Sequence, residues 1–160
     1  MEITDFYNIA AKSYDSLHKE EQLNKLNIIS KYIRPKKDET LLDVGCGTGI
    51  STKFWNCKAI GIDPSKELVK ICGSKCKVGK AENLPFKDKS FDYVISVTAI
   101  QNFDNIEKGL KEMKRVAKGH IIITALKKSQ KIKTIRKLIN RHFKAHKELQ
   151  EEKDLIFIIR

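Results

Sequence analysis

A chain of 160 residues has room for one domain, and 41% hydrophobic with 32% charged residues excludes a disordered, collagenous or disulfide-stapled protein. No apolar run reaches the length of a membrane span, and the start, Met1 to Asp5, lacks the basic-then-apolar pattern of an export signal, so a cytoplasmic protein is expected. The net charge of +12 is regional: residues 108–147 hold fourteen Lys or Arg against one acid, Glu112, a sum of +13 that leaves −1 for the rest.

In chain order, the spacing predicts a helix over 19–33, ending before Pro35, because proline disfavours helical geometry in its predecessor. Buried strands follow at 40–44, 59–62, 93–97 and 120–124, with a weaker one at 76–78 and a sixth at 155–159. Further helices fall at 50–56, 65–73, 105–117 and 129–150. The fourth helix opens on a capping-box-like Asp104-Asn-Ile-Glu107 and closes at Gly119, and the fifth aligns Ile132, Ile135, Ile139 and Phe143 on one face. Strands that are apolar on both faces and alternate with helices predict a doubly wound α/β domain with a mostly parallel sheet. Only one strand is expected after the fifth, so the sheet reads as shortened there.

Four cysteines, Cys46, Cys57, Cys72 and Cys76, form no Cys-x-x-Cys pair. Small core thiols are favoured over a zinc site or disulfides, and no metal is expected.

The most informative stretch is Leu41-Leu-Asp-Val-Gly-Cys-Gly-Thr-Gly49, which leaves a strand and enters a helix. Glycines at 45, 47 and 49 let the backbone turn sharply and approach a ligand that a Cβ would repel. The following helix N-terminus offers N–H groups to an anion. Asp63 ends the next strand, where a carboxylate faces the ligand crevice of an open sheet and accepts both hydroxyls of a ribose. The pair predicts a nucleoside-containing ligand. The spacing is not the dinucleotide G-x-G-x-x-G, and no G-x-x-x-x-G-K-[ST] loop is present.

From these residues the chain resembles the class I S-adenosylmethionine-dependent methyltransferases, particularly the methyltransferase-11 or UbiE-like group, with a Rossmann-like methyltransferase fold. Ala59 to Ser65 resembles the second motif of that group, Gly79-Lys-Ala-Glu-Asn-Leu-Pro-Phe86 the third, followed by Ser90 to Ser96. Tyr7 to Asp15 is similar to the leader that folds over the cofactor. The resemblance implies cofactor-covering helices over 1–35, a cofactor-binding core over 36–125, and a basic helix with the final strand over 126–160. It implies that the backbone of Gly45, Cys46, Gly47 and Gly49 holds the methionine portion, with Asp43 orienting its ammonium directly or through water. Asp63 would grip the ribose, Ala81 and Glu82 would lie beside the adenine, the Thr98 carbonyl would face the methionine amine, and Tyr14 would close over the site. Tyr14 also reads as a core anchor and Glu82 as a surface residue. Members of the group usually carry an acid where this chain has Lys80, and lysine cannot accept the adenine amino group. Glu82 or Asn83 then takes over, or the adenine rests on backbone and apolar contacts.

A sulfonium methyl is already electrophilic, so in-line positioning of the nucleophile is the main requirement. Gln101 and Asn102, in Thr98 to Phe103, are the candidate substrate contacts, with His18 near the acceptor space. The chain lacks the Asn-Pro-Pro-Tyr or Asp-Pro-Pro-Tyr motif of base and glutamine methylation, and its cysteines lack the context of pyrimidine carbon-5 enzymes. A nitrogen or oxygen acceptor is favoured. Residues 126–147 hold nine Lys or Arg and no acid, which suits RNA or a translation-associated component; it equally describes a solvated Lys-rich face. A small-molecule quinone or metabolite methyltransferase, and a noncatalytic cofactor-binding subunit, remain alternatives. The expected incomplete sheet edge favours a homodimer or a small activator protein, for which the strand near Lys75 to Val78 is a candidate.

Overall fold

The computed structural model describes the backbone of residues 3–160 and the side chains from residue 16 onward. Helix α1 (Ile3–Ile29) precedes β1 (Thr40–Val44), α2 (Ile50–Lys53), β2 (Lys58–Asp63), α3 (Lys66–Cys72) and β3 (Cys76–Val78). Then come β4 (Phe91–Val97), a 3-10 turn (Ile100–Asn102), α4 (Ile106–Val116), β5 (Ala117–Leu126), α5 (Ile132–His142), β6 (His146–Gln150) and β7 (Asp154–Ile159).

The strands form one seven-stranded sheet in the order β3-β2-β1-β4-β5-β7-β6. The first five are parallel, with Thr40 opposite Lys58 and Leu41 opposite Tyr93. β7 runs antiparallel to β5, pairing Ile121 with Ile159, and β6 antiparallel to β7, pairing His146 with Ile159. Successive residues of each strand face opposite sides, and both sides are covered. Val94, Ile121, Ile123, Leu155 and Phe157 pack with Leu110, Met113, Ile135 and Ile139 of α4 and α5. Ile95, Val97, Ile122, Ile156 and Ile158 pack with Leu26 and Ile29 of α1 and with Trp55.

Two expectations are overturned. The sheet is not shortened after its fifth strand: residues 146–150, expected to prolong the fifth helix, form β6. That helix ends at His142, where Phe143 turns extended at φ −126° and buries its ring. Lys144 to Gln150 contains no glycine or proline and is rich in helix formers, but a full ladder with β7 overrides that propensity. The edge invoked for a homodimer therefore lies on β6, a short charged strand, and not on β7. Gly119 does not close α4. The helix stops at Val116, and the step from Phe91↔Ala117 to Tyr93↔His120 leaves one extra residue on β5, a bulge containing Lys118 and Gly119.

At the helix starts, the Asn105 side chain accepts the Lys108 N–H and caps α4, and Ser65 accepts from Leu68 and caps α3. α1 starts at Ile3 and ends at Ile29, against the expected 19–33, and α2 stops at Lys53, against 56.

Candidate active site

The carboxyl ends of β1, β2 and β4 open onto a cavity of about 320 Å³. Its wall is made by Gly45 to Thr48, Asp63, Pro64, Val97 to Ala99, Asn102 and Phe103, closed on one side by His18 and Gln22 of α1. A smaller recess of about 50 Å³ shares Gly45, Pro64, Asn102 and Phe103 with it, and is completed by Gly79 to Glu82 and Asp104. The crevice therefore runs across the sheet where an open α/β fold takes its ligand.

The glycine turn has the tight geometry its spacing predicts. Gly45 sits at φ +77°, and a Cβ there would meet the Ala99 Cβ at 2.5 Å, so only glycine lets the turn pass under the loop after β4. Gly47, at φ +53°, has nothing within 4 Å of such a Cβ; its Cα lines open cavity.

Asp63 is buried, and its carboxylate is anchored by two backbone donors: Gly47 N–H to Oδ2 at 2.9 Å and Ser65 N–H to Oδ1 at 2.9 Å. Each oxygen keeps a lone pair while lining the cavity. Asp43 is wholly buried and lies behind the turn rather than on the cavity wall. Its Oδ2 accepts from the hydroxyls of Ser51 and Thr52, and Oδ1 has no partner. Burial pushes this carboxyl up to about 6, against the opposing pull of the two hydroxyls. Burial, reinforced by Asp43 and Asp63, pushes the Cys46 thiol up to about 12, so it is no nucleophile at neutral pH.

Ala81 and Glu82 line the smaller recess, and Glu82 Oε1 accepts the Asn105 N–H at 3.0 Å. Lys80 stands opposite Asp104 across the same recess, Nζ to Oδ2 3.5 Å. Asn102 lies on the wall of both cavities. Gln101 does not: it is buried, its Nε2 donating to the Thr98 carbonyl at 3.0 Å while Oε1 has no partner. That bond uses one lone pair of the carbonyl expected to face the methionine amine. The Tyr14 side chain lies outside the described residues.

Cys72 and Cys76 are joined as a disulfide, where free core thiols were expected, and pack with Cys46 behind Gly49. The fold places them 5.9 Å apart Cα to Cα, because β3 returns against the end of α3. Among the described residues no group of His, Cys, Asp or Glu could hold a metal ion.

Three participants escaped sequence reasoning. Asp104 carried only a helix-start signal. Gln22 and Lys25 sit among Leu23, Leu26 and Ile29 on α1, and their burial comes from partners far away in the chain. Lys25 Nζ lies 3.1 Å from Asp154 Oδ1, and both side chains are essentially inaccessible. Among the described residues no helix is long and apolar enough to cross a membrane.

A family model described as a methyltransferase domain matches residues 42–123, 82 of the 160 residues. The uncharacterised protein MJ1252 of Methanocaldococcus jannaschii is 42% identical over 74% of this chain and 48% of its own length. A demethylmenaquinone methyltransferase of Tropheryma whipplei is 31% identical over 76% of this chain and 58% of its own. The chain thus spans about half the length of these curated relatives. Among solved structures, an S-adenosylmethionine-dependent methyltransferase of Thermotoga maritima superposes with a TM-score of 0.74 at 20% identity, covering 96% of this chain and 97% of that one. A complex of the Haloferax volcanii Trm112 methyltransferase activator with a methyltransferase reaches 0.74 at 15% identity, covering 94% of each chain. These structural likenesses bear on the fold. Together with the crevice, the family match and the identities make this chain a member of the class I S-adenosylmethionine-dependent methyltransferases, in the methyltransferase-11 group, with S-adenosylmethionine as its cofactor.

Proposed function

We propose that the protein transfers a methyl group to a nitrogen or oxygen acceptor, carried by RNA or a translation-associated component. The observation that carries methyl transfer is the convergence of the glycine turn and Asp63 on one crevice, tied by the bond from Gly47 N–H to the Asp63 carboxylate. The residues fit the cofactor: open space at Gly47, an orphaned Oδ1 on Asp43, and spare lone pairs on Asp63 match a backbone-held methionine moiety, an ammonium and a ribose. When bound, the cofactor supplies an electrophilic sulfonium methyl. The backbone from Gly45 to Gly49 holds the methionine portion, Asp43, set behind the turn, neutralises its ammonium through a water, and Asp63 accepts from the ribose. Ala81 and Glu82 flank the adenine. Asp104, in the same recess, offers the acceptor that Lys80 cannot. Asn102 is the better placed of the two candidate substrate contacts, since Gln101 is occupied with Thr98.

RNA is favoured by where the basic stretch begins. Lys131 Nζ donates to the Gln101 carbonyl at 3.1 Å, which ties the stretch to the turn that carries the cavity-lining Asn102, and exposed Lys133, Lys137, Arg141 and Lys144 follow. Labelled methyl transfer to tRNA and rRNA at two ionic strengths tests this reading. Uptake that falls steeply with salt is expected, with a log–log slope of about −0.7 per phosphate contact on single strands. Salt-insensitive transfer to a small acceptor would replace it with the second reading. That second reading draws on a groove of about 760 Å³, which shares His18, Gly47, Thr48, Ile50 and Leu68 with the cofactor cavity and adds Leu23, Phe54 and Ile71. Such a wall suits an apolar metabolite such as a quinone.

A small activator protein of the Trm112 kind is the proposed partner. β3 is an edge strand, and Val78 on it and Ile71 on the neighbouring α3 are half or more exposed, a site where an added strand would cover both an edge and apolar surface.

A further inference from the structure

Thr98 closes β4 and forms the cavity floor at φ +54°, a left-handed conformation in which a β-branched residue is an outlier. Such a conformation persists only where its surroundings over-determine it. Here they do. The Thr98 N–H donates to Thr124 Oγ1 at 2.8 Å, its carbonyl accepts from Gln101, and its hydroxyl accepts from Lys25 Nζ at 2.8 Å while donating to Asp154 Oδ2 at 2.7 Å. Lys25 and Asp154 are themselves an ion pair whose side chains are 4% and 0% exposed. One turn earlier on α1, Glu21 pairs with Lys153, so the helix is docked to the start of β7 at two successive levels.

A buried pair of this kind is a poor source of stability, because desolvation offsets its attraction. Its value lies in what it holds. We infer that Lys25, through Asp154 and Thr98, is a positioning residue that couples the docking of α1 to the shape of the cofactor-cavity floor. The inference rests on this cavity being the S-adenosylmethionine site. The hydroxyl of Thr98 is engaged by Lys25 and Asp154, while Thr98 and Ala99 line the cavity and Ala99, the next residue, sits directly over Gly45. Loosening the pair frees that backbone to leave the left-handed well and shifts the floor against the glycine turn.

Lys25→Met alone leaves a buried carboxylate without its cation and is expected to lower the melting temperature. The double variant Lys25→Met/Asp154→Leu removes both charges and is expected to recover it. Calorimetry with S-adenosylhomocysteine on the double variant should then show affinity weakened roughly tenfold or more despite restored stability. Amide hydrogen exchange should quicken at residues 98–102 but not at 93–96, a local effect that general destabilisation does not produce. Wild-type affinity and unchanged exchange at 98–102 in the stable double variant would overturn the inference. Should the double variant not fold, Thr98→Val and Thr98→Ser decide on the same two readouts: weakened binding in the first with recovery in the second supports the role, and equal binding in both rejects it. Asp63→Ala run in parallel separates the two levels. If wild-type protein binds and Asp63→Ala does not, the cavity assignment stands whatever Lys25 does; if wild-type protein fails to bind, that assignment itself fails.

Discussion

Asp63 and Asp43 stand on neighbouring strands and take opposite burdens. Asp63 already accepts from Gly47 and Ser65, so its replacement removes loop anchors as well as the proposed ribose acceptors. Asp63→Ala is expected to weaken cofactor binding by about 2–4 kcal/mol in a folded protein, measured by calorimetry; unchanged affinity rejects the ribose role. Asp43 has its folded pKa raised from 3.8 to about 6 by burial, so the ionised form is the costly one in the fold. Stability of the ligand-free protein therefore falls as pH rises from about 4 to 6, by about 3 kcal/mol in all. Asp43→Asn removes that cost: it should melt higher than wild type at pH 8 and show no such gain at pH 4. In the proposed role of Asp43 the same protonation takes the carboxylate from the cofactor's ammonium, so wild-type affinity should fall below about pH 6, whereas the variant's weaker affinity should stay flat. Both carboxylates were legible in sequence, from the strand–glycine–strand pattern. The unpaired oxygen of Asp43 was not, because it depends on how Ser51 and Thr52 pack back from α2.

At the scale of elements, the segment between β3 and β4 carries Ala81 and Glu82, the proposed adenine neighbours, with little regular structure, and is held from α4 by two side chains, Arg115 and Glu112. Arg115 donates to the Leu84 and Phe86 carbonyls, to Glu112 twice and to Asp88, while Glu112 accepts the Leu84 N–H. Arg115→Ala removes the donor from two carbonyls and two carboxylates and should cost about 2 kcal/mol in urea unfolding. Arg115→Lys should recover only part of it, since an ammonium cannot span those acceptors. At the β3 edge, Val78→Lys is expected to abolish co-purification of the proposed activator from native cells while leaving cofactor affinity unchanged. The central strands β1, β4, β5 and β7 read well from apolar runs because they are buried on both faces, whereas β6, with its exposed charged residues, left no such run. α5 read poorly at its end: nothing local stops a helix at His142, and it is the β7 ladder and the burial of Phe143 that do so.

Across the whole molecule, the basic stretch is tied to the loop after β4 by the bond from Lys131 to the Gln101 carbonyl and continues along α5. Under the proposed RNA reading, neutralising exposed Lys133, Lys137 and Lys144 together should weaken RNA binding and flatten its salt slope, with cofactor affinity intact; filter binding at several salt concentrations reads both. The sequence by itself determined the doubly wound class, the glycine turn with its paired Asp63, and the regional charge, since these depend on local spacing and on which residue types the backbone tolerates. Only tertiary structure decided the completed seven-stranded sheet, the Cys72–Cys76 linkage, and the Lys25–Asp154 pair beneath Thr98. The sheet partners and the ion pair meet across as many as 129 positions, from Lys25 to Asp154, and the two cysteines, only four apart, meet because β3 folds back on α3; no local period records either encounter.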